Sequence, residues 1–231
     1  MSYLLSALNG LDAWVEAARH LVAVKGGEEV NIILEVASPT TFEHRWFESI
    51  DPREVSARGE NPNNVSNTIF PLQTLRNSAD RHDFYERYKR AHSRSHNKRW
   101  GTYFLRLIDF GETRVNQLER AIGVLNNWKK EPGTAIVFHL SSPEVDRPRP
   151  LGSPCLQLIQ LQVHGGVIDM IVTYRNHDYF NKALPNLVGL GKLLGFICDS
   201  SGRHPGKLVC HSAHAYSSDG IANLRNLLGR L

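Results

Sequence analysis

Cys155, Arg175, Asp178, His214 and Tyr216 are the side chains whose types and order could do chemistry. They lie between Ser153 and Tyr216, in Ser153-Pro154-Cys155-Leu156-Gln157, Tyr174-Arg175-Asn176-His177-Asp178 and His211-Ser212-Ala213-His214-Ala215-Tyr216. A cysteine attacks as its thiolate, and a neighbouring cation favours that form. Arg175 stands on the far side of an alternating apolar segment and could be that cation. A free cysteine on its own is more often a small buried hydrophobe. Nucleophilic chemistry therefore requires the fold to bring these residues into one place.

The elements that would do so can be read from periodicity. Leu156 to His164 and Val167 to Arg175 alternate as two strands about Gly165-Gly166, a hairpin signal. Leu184 to Cys198 is an apolar helix after the Leu184-Pro185-Asn186 turn, and Leu208 to Tyr216 is a last strand. Upstream, Leu8, Leu11, Trp14, Val15, Ala18 and Leu21 recur at helical spacing and predict a helix from Ser6 to Ala23, ended by Gly26-Gly27. Val30 to Val36 reads as a buried strand, and 38–62 as irregular. A polar helix runs from about Asn77 to Arg94, and Trp100 to Ile108 alternates like a strand. Val115 to Lys129 is the clearest helix, with Leu118, Ala121, Ile122 and Leu125 inward and Pro132-Gly133 to stop it. Ile136 to Leu140 is a strand, and Gly220 to Leu231 a short closing helix.

A chain of 231 residues can bury a substantial core, and no repeat, linker or low-complexity tract divides it, so one domain over 1–231 is expected. The net charge of +4 is dispersed, which suits an anionic small substrate as well as a polyanion; nucleic acid is not indicated. Cys155, Cys198 and Cys210 are odd in number and widely spaced, which argues against a disulfide framework or a thiol zinc site. His92 and His96 lie four apart, yet the surrounding Lys89, Arg90, Arg94, Lys98 and Arg99 favour a solvated basic face, and no metal is assigned. The N-terminus has no basic region followed by a long apolar run, and no stretch reaches the length of a membrane span, so a cytoplasmic protein is expected.

Pro154-Cys155, the hairpin, Arg175-Asn176-His177-Asp178, the proline-containing turn and His214-Ala215-Tyr216 together resemble the thymidylate synthase family. That family has a Pro-Cys, a long β-hairpin, an Arg-Ser-x-Asp at the same distance, and a later His-x-Tyr. Val124-Leu125-Asn126 with Lys129 and Pro132, and Tyr103 in Gly101-Thr102-Tyr103, fall at matching distances upstream. Phe70-Pro71-Leu72 resembles the Phe-Pro-Leu before the family's catalytic helix; counting on from it places Arg76 near the folate tail and Glu86 at the proton-relaying glutamate. The fold implied is α+β, a mixed sheet flanked by helices, and the implied assembly a homodimer.

The implied activity is one-carbon transfer to C5 of a pyrimidine nucleotide, with 5,10-methylenetetrahydrofolate as donor. Cys155 would add to C6 and make C5 nucleophilic, and Glu86 would relay the proton removed from C5. Arg175 would lower the thiol pKa and bind the substrate phosphate. Asp178 would contact the pyrimidine, His214 and Tyr216 the sugar hydroxyl, and Asn176 the same nucleotide. Cys198 and Cys210 would be core.

The sequence also departs from the pattern. The family's adjacent phosphate-gripping arginines correspond to Ala135 and Ile136, leaving Arg175 with Arg58, Arg147 or Arg149 for that task. The base-reading asparagine corresponds to Leu187, with Asn186 beside it as a substitute if Lys182 is an inserted residue. The stretch between Glu86 and Tyr103 is short, without the tryptophan-bearing segment that in the family packs on folate, and the C-terminal segment that closes over folate is expected to be shortened. Compact hydroxymethylases of the superfamily make hydroxymethylation an expected alternative to methylation. The competing classes are a non-catalytic nucleotide-binding homologue and a nucleic-acid-associated protein using the basic Arg87 to Arg99 stretch.

Overall fold

The computed structural model describes residues 2–41, 61–93, 100–128, 130, 136–146 and 152–230. Arg58, Ala135, Arg147, Arg149 and the stretch 94–99 lie outside the described residues, as do Lys129, Pro132 and Gly133.

The chain opens with a strand, β1 (Tyr3–Ala7), followed by helix α1 (Gly10–Ala23). This corrects the expected helical start at Ser6. β1 pairs in parallel with β2 (Glu29–Val36), Tyr3 opposite Ile32 and Ala7 opposite Val36, a partnership formed across the intervening helix that local periodicity does not show. Asn9 then caps α1, its Oδ1 accepting the Asp12 N–H at 2.9 Å. α1 buries Ala13, Trp14, Ala17, Ala18 and Leu21.

Among the described residues the next elements are the helices α2 (Pro62–Asn67), α3 (Leu72–Arg76) and α4 (Arg81–Ser93). The expected strand at Trp100 to Ile108 is instead helix α5 (Tyr103–Ile108). Thr102 caps it by accepting the Leu105 N–H at 3.1 Å, and Phe104, Leu107 and Ile108 turn inward at helical spacing. Arg106 is also drawn inward, because Asp146 receives it at 2.5 and 2.7 Å and the Leu140 carbonyl at 2.9 Å. That partner lies 40 residues on, so the alternation of Trp100 to Ile108 misleads.

Helix α6 (Gln117–Asn127), β3 (Ile136–His139) and the hairpin β4 (Leu156–His164) with β5 (Val167–Tyr174) form as the sequence predicts. Gly165 and Gly166 take φ of 57° and 78°, the left-handed pair a tight two-residue hairpin requires. Two-residue strand β6 (His177–Asp178) leads into α7 (Ala183–Ser201), then β7 (His204–Tyr216) and α8 (Ile221–Leu228).

The result is an α+β fold. Its mixed sheet runs β1-β2-β7-β5-β4-β3, with β6 paired to β7. Inward residues such as Ile32, Leu34, Ile159, Leu161, Met170, Val172, Leu208 and Cys210 are buried on one face under the helices. α7 is apolar almost all round and crosses the middle of the structure. It approaches α2 so closely that a Cβ on Gly189 would sit 2.8 Å from the Ser66 carbonyl oxygen. Phe70, Phe84, Phe104 and Phe196 interlock with ring centroids 5.0–6.0 Å apart, fixing α4 and α5 against α7. No described helix is long and apolar enough to cross a membrane.

Candidate active site

Strand register gathers the candidate residues at one end of the sheet. Leu156 pairs with Tyr174 across the hairpin, and the Arg175 N–H donates to the Cys155 carbonyl at 2.9 Å, so thiol and guanidinium share that end. β6 lies parallel to the end of β7, His177 opposite Ala215 and Asp178 opposite Tyr216. The Arg-Asn-His-Asp and His-Ala-Tyr segments are thus adjacent strands, tied further by the Tyr179 N–H to the Tyr216 carbonyl at 2.8 Å.

Cys155 is half-buried. The Tyr103 hydroxyl oxygen accepts the N–H groups of Cys155 (3.1 Å) and Leu156 (3.3 Å), so α5 braces the turn that presents the thiol. Arg175 grips the same turn, Nε donating to the Pro154 carbonyl at 3.1 Å and Nη2 to that of Ser153 at 3.4 Å. Burial nevertheless pushes the Cys155 thiol above its ordinary pKa, only partly opposed by the Arg175 cation, while Asp178 pushes it further up. The expected lowering by Arg175 is therefore corrected: desolvation of the thiolate outweighs the neighbouring charge. Cys198 and Cys210, both core, are pushed up to about 12.

Asp178 is buried and saturated. Its Oδ1 accepts the N–H groups of Phe180 (3.1 Å), Asn181 (3.4 Å) and Ser218 (3.2 Å); its Oδ2 accepts Asn181 Nδ2 (3.0 Å) and Ser218 Oγ (2.6 Å). The side chain clasps the turn after β7 to the start of α7. Asn176 meets His214, Oδ1 to Nδ1 at 2.6 Å, while His214 Nε2 lies 3.2 Å from Glu28 Oε2. The Tyr216 ring stacks on His214 with centroids 5.5 Å apart.

Behind this layer Asn186 opens a buried polar string whose other members, His177, Ser212 and Tyr179, were not singled out from the sequence. Asn186 Nδ2 is 3.1 Å from His177 Nε2, His177 Nδ1 is 2.8 Å from Ser212 Oγ, and Tyr179 Oη is 3.3 Å from the same oxygen. Burial pushes the His177 pKa down to about 3, so the ring is neutral. The Tyr174 ring lies flat on His177, and its buried hydroxyl has no hydrogen-bond partner among the described residues, a loss of about 1–3 kcal/mol for such a group. A signal existed: Ser212 is a polar residue at an inward position of β7, following Leu208 and Cys210.

The remaining candidates lie elsewhere. Glu86 pairs with Lys89 on its own helix, which holds its carboxyl below the usual range; none of its described interactions reaches Cys155. Arg76 is exposed at the end of α3, near enough to the half-buried Lys192 to lower its pKa alongside burial. Leu187 and Ile136, the positions of missing family side chains, are buried in the core. A cavity of about 410 Å³ between α6 and β3, lined by Phe110, Arg120, Phe138 and His139 among others, contains none of the candidate residues.

No family model matches the chain. It is similar to proteins named "putative thymidylate synthase". That of Methanococcoides burtonii is 30% identical over 121 residues, 51% of this chain and 54% of the relative. That of Methanosarcina acetivorans is 31% identical over 120 residues, with the same coverage of 51% and 54%. That of Methanothermobacter marburgensis is 31% identical over 104 residues, 44% and 45%. The chain spans about half the length of these relatives, or less. The matches support a thymidylate-synthase-like relationship at low identity.

Proposed function

We propose that the protein transfers a one-carbon unit to C5 of a pyrimidine nucleotide through a cysteine adduct at C6. The observation that carries this reading is the strand register that sets Cys155, Arg175 and the Asn176–His214 pair at one end of the sheet. The names of the relatives support the substrate class.

In this reading the Cys155 thiol gives up its proton as sulfur bonds to C6, and the C5=C6 electrons move to C5 and the O4 enolate. C5 would then bond the one-carbon unit, and loss of the C5 proton with release of the donor's amine nitrogen would leave an exocyclic methylene on C5. Addition of water (giving hydroxymethyl) or of a hydride from the reduced donor (giving methyl) would expel the thiolate from C6 and restore the C5=C6 double bond. Burial favours the protonated thiol, and a nucleotide phosphate beside Arg175 would compete for a cation that favours the thiolate. His214 and Tyr216 hold the sugar and Asn186 the base, while Asp178, its carboxylate taken up by Phe180, Asn181 and Ser218, shapes the base site through the turn it holds. Glu86 and Arg58 enter only through the family resemblance. A folate donor would supply the carbon at the methylene oxidation level; Arg76 and the neighbouring Lys192 offer the cationic chemistry its anionic tail would need.

A homodimer belongs to the same reading. The sheet face opposite the helices carries Leu4, Ile33, Val209, Ile171, Leu158 and Val137 half-exposed or exposed, and no described helix covers it.

Release of tritium from a C5-labelled pyrimidine nucleotide tests the chemistry. Release that falls at least about a thousandfold in Cys155→Ala, with thermal stability kept, is expected. Release unchanged in the variant would remove Cys155 from the reaction. Tetrahydrofolate and a hydroxymethyl product would mark hydroxymethylation; dihydrofolate and a methyl product would mark methylation. The burial of Cys155, which disfavours its thiolate, favours a second reading, nucleotide binding without turnover. Tight nucleotide binding with no tritium release would establish it.

A further inference from the structure

His177 is fully buried, yet polar atoms meet both of its ring nitrogens. The Asn186 Nδ2, 3.1 Å from Nε2, can only donate. With the Asn186 amide in this orientation, Nε2 is the acceptor, the ring proton sits on Nδ1, and Nδ1–H donates to Ser212 Oγ at 2.8 Å. The ring cannot swing away. Tyr174 lies flat against it, centroids 4.0 Å apart and planes 2° from parallel, and Tyr179 meets it edge-on at 5.4 Å.

The consequence falls on Asn186. With one Nδ2 hydrogen engaged by His177, the amide keeps Oδ1 and its second Nδ2 hydrogen for other partners, in a fixed order. Turning the amide over would set Oδ1 against the Nε2 lone pair, two acceptors face to face. Relief would require the ring proton to move to Nε2 and Ser212 to turn its hydroxyl and donate to Nδ1. Uracil and cytosine offer donor and acceptor at N3 and at the 4-position in opposite order. An amide held in one orientation pairs with one base and opposes the other.

Resting on the function proposed above, in which Asn186 meets the pyrimidine, we propose that His177 is a positioning residue: by keeping its proton on Nδ1 it locks the Asn186 amide and so sets which pyrimidine the site accepts. Nothing else described touches the Asn186 side-chain amide, so its orientation has no second guarantor among the described residues.

The test combines ring nitrogen-15 NMR of His177 with equilibrium binding of deoxyuridine and deoxycytidine monophosphates. The wild-type spectrum is expected to show a protonated Nδ1 and a bare Nε2. The wild-type protein should prefer one nucleotide by at least about tenfold, the scale of a mispaired buried hydrogen bond. Ser212→Ala frees the proton to change nitrogen, and His177→Gln can present either amide orientation. Both should bring the preference to within about twofold while melting cooperatively, and either variant suffices should the other fail to fold. A proton on Nε2 in the wild type, or an unchanged preference in the folded variants, overturns the role of His177 while leaving the proposed function intact. Wild-type protein that binds neither nucleotide overturns the function itself, and the base-setting role with it.

Discussion

Asp178 and Glu86 are both carboxylates drawn from the same family resemblance, and the structure treats them oppositely. Asp178 is buried at the end of the sheet and accepts five hydrogen bonds from Phe180, Asn181 and Ser218, the last 40 residues away. Glu86 stands on α4 and pairs with Lys89, three positions along the same helix. One is held by the tertiary fold, the other by its own turn. The difference teaches where pre-organisation lies: around Cys155 the geometry is fixed before any ligand arrives, whereas Glu86 must exchange a partner to take part in chemistry.

Substitution at the two sites should separate them widely. Asp178→Ala strands several buried donors, and urea unfolding is expected to show a loss on the order of 3 kcal/mol. A loss below about 1 kcal/mol would show that the clasp is not rigid. The next effect concerns the string behind Asp178. The His177 pKa lies at about 3 in the folded protein against an ordinary value of 6.5. Above pH 6.5 neither state binds a proton there and the full contribution of the neutral ring is present. Between pH 6.5 and 3 only the unfolded chain binds one, so stability falls as pH falls, by up to about 1.4 kcal/mol per unit. The difference in unfolding free energy between wild type and His177→Gln should show this slope, and a flat difference would place the ring in contact with water. The smallest effect belongs to Glu86→Gln, which should lower stability by about 0.2–0.5 kcal/mol and change turnover by less than about threefold. A loss of turnover on the order of a hundredfold would bring Glu86 into the proton path and close the gap between the two carboxylates.

Much of this arrangement was legible without coordinates. Gly165-Gly166 between alternating runs specifies a hairpin, and strands of matched length on either side force Cys155 and Arg175 to the same end. The inward face of α6 follows from periodicity alone. What escaped depends on partners distant in the chain. β1 exists because Ile32 to Val36 pair with it, and α5 because Asp146 draws Arg106 inward. The thiol pKa turns on burial, which sequence spacing does not measure, so a cation at the right distance gave the wrong sign. The string through His177 and Ser212 becomes visible only when β6 is laid beside β7.

The central claim is that Cys155 adds to C6 of a pyrimidine nucleotide. A 5-fluoropyrimidine deoxynucleotide tests it most directly, because fluorine cannot leave as a proton does and the adduct accumulates. Incubated with 5,10-methylenetetrahydrofolate and analysed by mass spectrometry, the protein should gain the mass of the trapped complex on the peptide that contains Cys155, and Cys155→Ala should gain nothing. An unmodified Cys155 under saturating nucleotide, or an adduct on Cys198 or Cys210, would contradict it.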